Sequence, residues 1–279
     1  MIDAHQHFWK IGEYDCTWPT PELSAIYRNF LPADLEPLAK QLGVSGSVLV
    51  QSQESDLDTD FLLQLAANSS FVKAVVGWVD FTSVSVVERI GMLAAQHNKL
   101  RGLRPMLQSM PEDSWILKAE LEPALDEMQR SCLSLDALVF PRHLLYLRIF
   151  AKRHPRLPIV IDHGAKPGIA KGGFEYWAEA IGALAELPHV YCKLSGLLTE
   201  AAKEQGLDQV RPYVVHLYRL FGAERLMWGS DWPVLNLAPN SEYSNYGDWL
   251  AMAKLLLPVA SNTELDAIFG YTARNFYRF

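Results

Sequence analysis

Short apolar runs alternate with longer amphipathic segments from one end of the chain to the other. This is the pattern of a parallel sheet whose strands are joined by crossover helices. Eight runs read as strands: Ile2–His7, Ser47–Gln53, Lys73–Asp80, Leu100–Met106, Ser134–Phe140, Pro158–Gly164, Val190–Gly196 and Leu226–Trp232. Near-continuous runs such as Pro158-Ile159-Val160-Ile161 suit strands covered on both faces. Between them lies helical spacing. Leu35, Leu38, Ala39 and Leu42 share one face of a segment that Gly43 stops. Val87, Ile90, Leu93 and Ala94 recur at helical spacing within Ser83–His97. Further helices are expected over Phe174–Leu187, ahead of Pro188, and over Asp208–Phe221, ahead of Gly222. Ser261-Asn262-Thr263-Glu264 has the form of a capping box. The alternation predicts a single-domain (β/α)8 TIM barrel over residues 1–279. An open doubly wound sheet would normally carry a glycine-rich phosphate turn after its first strand. Here that strand ends in His5-Gln6-His7.

In such a barrel the chemistry sits where the strands end. His5 and His7, two apart on a strand, project to the same side at the mouth. A pair of structural histidines near a chain terminus is the competing reading. The eighth strand ends in Trp228-Gly229-Ser230-Asp231-Trp232-Pro233, and closure sets it beside the first, so Asp231 is expected near both imidazoles. An aspartate capping the next helix would read the same way. The sixth strand ends in Asp162-His163-Gly164. Alternation lets one of the two polar residues face inward; we assign His163 to the mouth and Asp162 to a supporting bond, the reverse being the alternative. Substrate contacts are expected from Arg104, Lys166, Gln51, Gln53, Trp78 and Trp232 near strand ends. Trp18, in a Pro-flanked first loop, is placed to cover the mouth. Arg101 is a further candidate, although alternation sets it opposite Arg104. A charge at a strand end or on the surface is an equal reading of Arg104, Lys166 and Arg101, and core packing competes for each aromatic. His97, His143, His154, His189 and His216 fall away from the mouth and read as surface residues.

Composition narrows the function classes. A net charge of −7 argues against a nucleic-acid binder, which would carry a basic face. Cys16, Cys132 and Cys192 are scattered, with no CxxC pair, so a disulfide framework or thiolate zinc site is not expected and a reducing cytoplasm fits best. The opening Met1-Ile2-Asp3-Ala4-His5 lacks the basic and apolar lead of a secretory signal. No apolar stretch reaches the roughly 20 residues that span a bilayer. The exposed helices would permit a homodimer, and no feature requires one.

Three segments in order, His5-Gln6-His7, Asp162-His163-Gly164 and Gly229-Ser230-Asp231-Trp232-Pro233, resemble the amidohydrolase superfamily. With Asp3-Ala4-His5-Gln6-His7-Phe8-Trp9 and Arg101-Gly102-Leu103-Arg104, the resemblance narrows to its sugar-lactone and pyrone-dicarboxylate lactonase branch and spans essentially the whole chain. Binuclear members add a bridging Lys or Glu on strand four and a His on strand five. Here strand four offers Arg101 and Arg104, and strand five ends in Leu138-Val139-Phe140. Arginine stays protonated and cannot ligate, so a binuclear centre is not expected. A single Zn²⁺ on His5, His7 and Asp231 remains chemically allowed, while the lactonase branch implies no obligatory metal. The resemblance implies opening of a fucono-, rhamnono- or galactono-lactone to its aldonic acid. Asp231 would take a proton from the attacking water, and His5, His7 and His163 would donate hydrogen bonds to the oxyanion. Three rival readings remain: a pyrone-dicarboxylate lactonase, a mononuclear zinc hydrolase or decarboxylase, and a binding module with a decayed site.

Overall fold

Every expected strand forms, and each stops short of the C-terminal end of its apolar run. The computed structural model describes residues 1–240, 244–258 and 260–279. Its strands are β1 (Ile2–Gln6), β2 (Gly46–Val50), β3 (Val72–Gly77), β4 (Leu100–Leu103), β5 (Ser134–Ala137), β6 (Ile159–Ile161), β7 (Val190–Leu194) and β8 (Leu226–Trp228). They pair in parallel and in sequence order. Closure happens just beyond β8: Asp231 N donates to His5 O at 2.8 Å, and His7 N donates to Trp232 O at 2.8 Å. The ring is thus completed by the segments that carry the candidate chemistry.

The crossover helices are α1 (Pro32–Gln41), α2 (Asp56–Asn68), α3 (Val86–Gln96), α4 (Glu122–Arg130), α5 (Leu144–Arg153), α6 (Phe174–Ala185) and α7 (Leu207–Arg225). After β8 come α8 (Tyr246–Leu256), α9 (Asn262–Asp266) and α10 (Thr272–Tyr277). Their ends follow the local chemistry. Gly43 takes φ +79° just past α1, the left-handed turn that releases a helix terminus. Gly222 takes φ +63° inside α7 and breaks its regular geometry where the sequence sets a stop. Ser261 Oγ accepts from Glu264 N at 3.3 Å while Ser261 N donates to Glu264 Oε2 at 2.8 Å, closing the capping box ahead of α9.

Two apolar layers result. One lies between strands and helices. The smaller one gathers Ile2, Ala4, Val48, Val50, Ala74, Val76, Val160 and Met227 against Ala273, Phe276 and Tyr277 of α10. α10 therefore closes one end of the barrel, leaving the opposite end for the site. No helix among the described residues is long and apolar enough to cross a membrane.

Candidate active site

The first strand delivers both imidazoles to the interior. A register shift in the β1–β2 pairing between Asp3 and Gln6 breaks the simple alternation at this point. His5 and His7 end with their Nε2 atoms 3.1 Å apart. Asp231 reaches them from beyond β8: its Oδ1 lies 3.3 Å from His7 Nε2, 3.7 Å from His5 Nε2 and 3.8 Å from His163 Nε2. The four predicted catalytic side chains are thus brought together by closure.

Alternation does not describe the end of β6. Regular strand stops at Ile161, and the backbone turns left-handed at His163 (φ +54°), Gly164 (φ +56°), Ala165 (φ +64°) and Lys166 (φ +47°). Freed from the pleat, Asp162 and His163 both serve the interior. His163 Nδ1 contacts Ser195 Oγ at 2.8 Å, and Asp162 Oδ1 lies 3.4 Å from His5 Nδ1. Two glycines make room. A Cβ at Gly196 would lie 2.6 Å from the His163 ring, and one at Gly229 would lie 2.7 Å from His5 Cβ.

Beneath the histidines is a charged layer in which sequence reasoning named Asp162 and Arg104 but missed Lys193, Asp136 and Tyr277. Lys193 on β7 is fully buried and bonds Asp136 Oδ2 at 2.6 Å. It also lies 3.0 Å from Asp162 Oδ1 and donates to His5 Nδ1 at 3.0 Å. Arg104 Nη1 donates to Asp162 Oδ2 at 3.1 Å, and Tyr277 Oη to Asp136 Oδ2 at 2.6 Å. Two cations thus balance two carboxylates, the condition under which buried charge is tolerable. The available signal was a charge inside an otherwise apolar strand, at Asp136 and at Lys193.

Burial and neighbours set the protonation states. Burial works against ionisation of Asp231, but His163, His7 and His5 outweigh it and hold the carboxyl below the usual range. Burial, reinforced by Lys193, keeps His5 well below its ordinary value. Burial also lowers His163 to about 4. The result at neutral pH is an ionised carboxylate beside neutral His5 and His163.

A cavity of about 300 Å³ opens above this cluster, at the lower end of the roughly 300–1,000 Å³ typical of small-molecule sites. His7, His163, Asp231, Arg104, Lys166, Trp18 and Gln53 line it, as do Ser52, Glu54, Met106, Gln108, Leu138 and Val234. Lys166 Nζ donates to Gln108 Oε1 at 3.0 Å. Gln53 pins the first loop, donating to Trp18 O at 2.7 Å and accepting from Thr17 N at 3.1 Å. The remaining candidates stand outside the lining. Gln51 is fully buried and donates to Arg104 O at 2.9 Å. Trp232 packs edge-on against Phe30, with ring centroids 5.0 Å apart. Trp78 N is held by Thr59 Oγ1 at 2.8 Å, and Arg101 is partly buried away from the cavity. His143 and His154 are buried rather than on the surface; His143 Nδ1 accepts from Phe140 N at 2.9 Å.

Could these donors hold an ion? Ligand atoms of His5, His163 and Asp231 lie within 4.8 Å of one another, with His5 and His163 Nε2 at 3.7 and 3.8 Å from Asp231 Oδ1, somewhat wider than the spacing of about 3.3 Å between ligands of a tetrahedral Zn²⁺ with ~2.0–2.1 Å bonds. Hydrogen bonds sort the histidines further. His7 Nδ1 is 2.8 Å from Val50 O, so a proton sits there, and Nε2, 3.3 Å from Asp231 Oδ1, is the ring atom turned to the site. His163 can give its Nδ1 proton to Ser195, leaving Nε2 free. His5 fits poorly, because Lys193 occupies the position where a ligating histidine needs an acceptor. Of the converging group, His163 and Asp231 are therefore the donors suited to a divalent ion, with His7 Nε2 beside Asp231 at 3.3 Å.

Known proteins bear on this geometry. An L-fucono-1,5-lactonase of Burkholderia ambifaria is 50% identical, over 99% of this chain and 95% of its own. An L-fucono-1,5-lactonase of Burkholderia multivorans is 34% identical over the same shares. A zinc-bound amidohydrolase structure from Burkholderia multivorans superposes with a TM-score of 0.90 at 34% identity, over 100% of this chain and 99% of that one. The amidohydrolase family profile matches residues 2–279. The chain belongs to the amidohydrolase family.

Proposed function

We propose that this protein hydrolyses a sugar-derived 1,5-lactone of the fuconolactone type to the corresponding aldonic acid. One observation carries the reading: an ionised Asp231 stands in the wall of a monosaccharide-sized cavity beside neutral His163 and the cations Arg104 and Lys166. The named lactonase relatives support the same substrate class. Three free cysteines support a reducing, cytoplasmic setting.

Asp231 accepts a proton from the water that attacks the ester carbonyl. A carboxylate with a depressed pKa is a weak base, so most of its contribution is to hold the water in line. A lactone tolerates this, because its carbonyl is electrophilic and its alkoxide leaves readily. Negative charge then builds on the carbonyl oxygen, where Arg104, Lys166 and His163 stabilise it, His163 acting with Ser195 Oγ donating to Nδ1 and the ring proton on Nε2; losing one such donor costs about 10²–10³ in rate. The bond from the carbonyl carbon to the ring oxygen breaks, and that oxygen takes up a proton to become a hydroxyl. His5 does not line the cavity, so its role is to orient His7 and Asp231 from below. A divalent ion would be held by His163 and Asp231 with a neighbouring imidazole, and would supply Lewis-acid polarisation of the carbonyl.

The test is Asp231→Asn, assayed on a panel of stereoisomeric sugar lactones and on pyrone dicarboxylate. We expect kcat to fall by about 10³ or more with KM little changed. Near wild-type turnover by the variant would remove Asp231 from this role. Preference of the wild type for the pyrone would replace the sugar substrate.

A further inference from the structure

We propose that Lys193 is a positioning residue that fixes the tautomer of His5 and so withholds His5 from metal ligation. The inference deepens the proposed reading of this site. Its readouts do not depend on lactone turnover, so either can fail without the other.

A lysine ammonium has three protons and no lone pair. Lys193 donates to Asp136 Oδ2 at 2.6 Å and to His5 Nδ1 at 3.0 Å, and pairs by charge with Asp162 Oδ1 at 3.0 Å. His5 Nδ1 must therefore accept, and the ring's single proton lies on Nε2. That proton faces His7 Nε2 at 3.1 Å, while the proton of His7 is held at Nδ1 by Val50 O at 2.8 Å. The result is a directed chain, Lys193 to His5 to His7 to Val50, in which each donor meets an acceptor. Histidines that bind metal do so through a lone pair, and usually donate their other N–H to a carboxylate or carbonyl. His7 has that arrangement. His5 has the reverse.

The carboxylate that would reverse it is already in place. Asp162 Oδ1 lies 3.4 Å from His5 Nδ1. Without the ammonium, His5 can donate Nδ1–H to Asp162 and turn a free Nε2 lone pair toward Asp231, completing a ligand set of three histidines and one carboxylate. Lys193 thereby keeps the centre poor in affinity for metal.

The experiment combines ¹⁵N NMR of the histidine rings in metal-free wild-type protein with zinc titration calorimetry of wild type and Lys193→Met. We expect wild-type His5 to show the Nε2–H tautomer. We expect the folded variant to show the Nδ1–H tautomer and to bind zinc at least about tenfold more tightly, the scale on which outer partners act on metal sites. An Nδ1–H tautomer in the wild type would overturn the proposal, as would unchanged or weaker zinc affinity in a folded variant. Should the variant fail to fold, the wild-type spectrum decides alone.

Discussion

Asp231, His163 and Lys166 hold φ angles of +58°, +54° and +47°, a region that costs a non-glycine residue roughly 1–3 kcal/mol. Strain at three cavity residues is the local cost of turning side chains inward where a pleated strand would send them elsewhere. None of the three is a glycine or asparagine, and the one local signal of the turn is Gly164 beside His163. Arg104 and Lys166 both line the cavity wall, although a surface or strand-end charge was an equal reading of each, whereas Gln51 turns to the Arg104 carbonyl instead. Asp58 was also hidden: it lies in α2, yet its Oδ2 accepts from Ser52 N at 3.2 Å and Gln53 N at 3.3 Å and so shapes the loop beside the cavity. Burial pushes its pKa from 3.8 up to about 7. The folded state then holds a proton that the unfolded chain releases, so stability falls as pH rises across that window. Thermal unfolding of the wild type should show Tm declining between pH 4 and pH 7. Asp58→Asn should lessen that decline, leaving the share of Asp3, which burial raises to about 6, and a parallel profile would remove Asp58 as a cause.

Among the elements, the strands were legible because apolar runs mark them, but their ends were not. Leu226–Trp232 reads as one run, yet β8 is only Leu226–Trp228. The remaining residues leave the ladder because Ser230 and Asp231 find partners on β1. Ser230 Oγ donates to Asp3 Oδ2 at 2.6 Å, Ser230 N donates to Asp3 Oδ1 at 2.8 Å, and Trp232 N donates back to Ser230 Oγ at 2.9 Å. This clasp is what sets Asp231 against the imidazoles. Ser230→Ala leaves a buried carboxylate short of one donor, at a cost of about 1–3 kcal/mol. Denaturant unfolding should show that loss together with a fall in kcat, since the clasp serves both closure and alignment. Unchanged stability would mean that the backbone bonds alone close the ring.

For the whole molecule, closure was the part most fully implied by the sequence, because alternating strands and helices leave few other architectures. The charged interior was not implied, since its pairing joins β4, β5, β6, β7 and α10 across long stretches of chain. Tyr277 shows the difficulty: an unremarkable tyrosine near the end of the sequence donates to Asp136, 141 residues away. Tyr277→Phe removes that donor while keeping the ring against the barrel. We expect about 1–3 kcal/mol of lost stability, with circular dichroism and turnover lost together on denaturation. Full activity in a molecule of undiminished stability would show that Lys193 alone satisfies Asp136.

The walls of the cavity come mostly from connecting loops: Ser52, Gln53 and Glu54 after β2, Met106 and Gln108 after β4, Leu138 after β5 and Lys166 after β6. The imidazoles and their ionic support stand on or next to the strands. Recognition and reactivity are therefore separable parts. An engineer seeking a different ring or stereoisomer should redraw those loops and leave the strand-borne machinery untouched. Natural variants of this scaffold would be expected to diverge in the same order, changing what they grip long before they change how they cut.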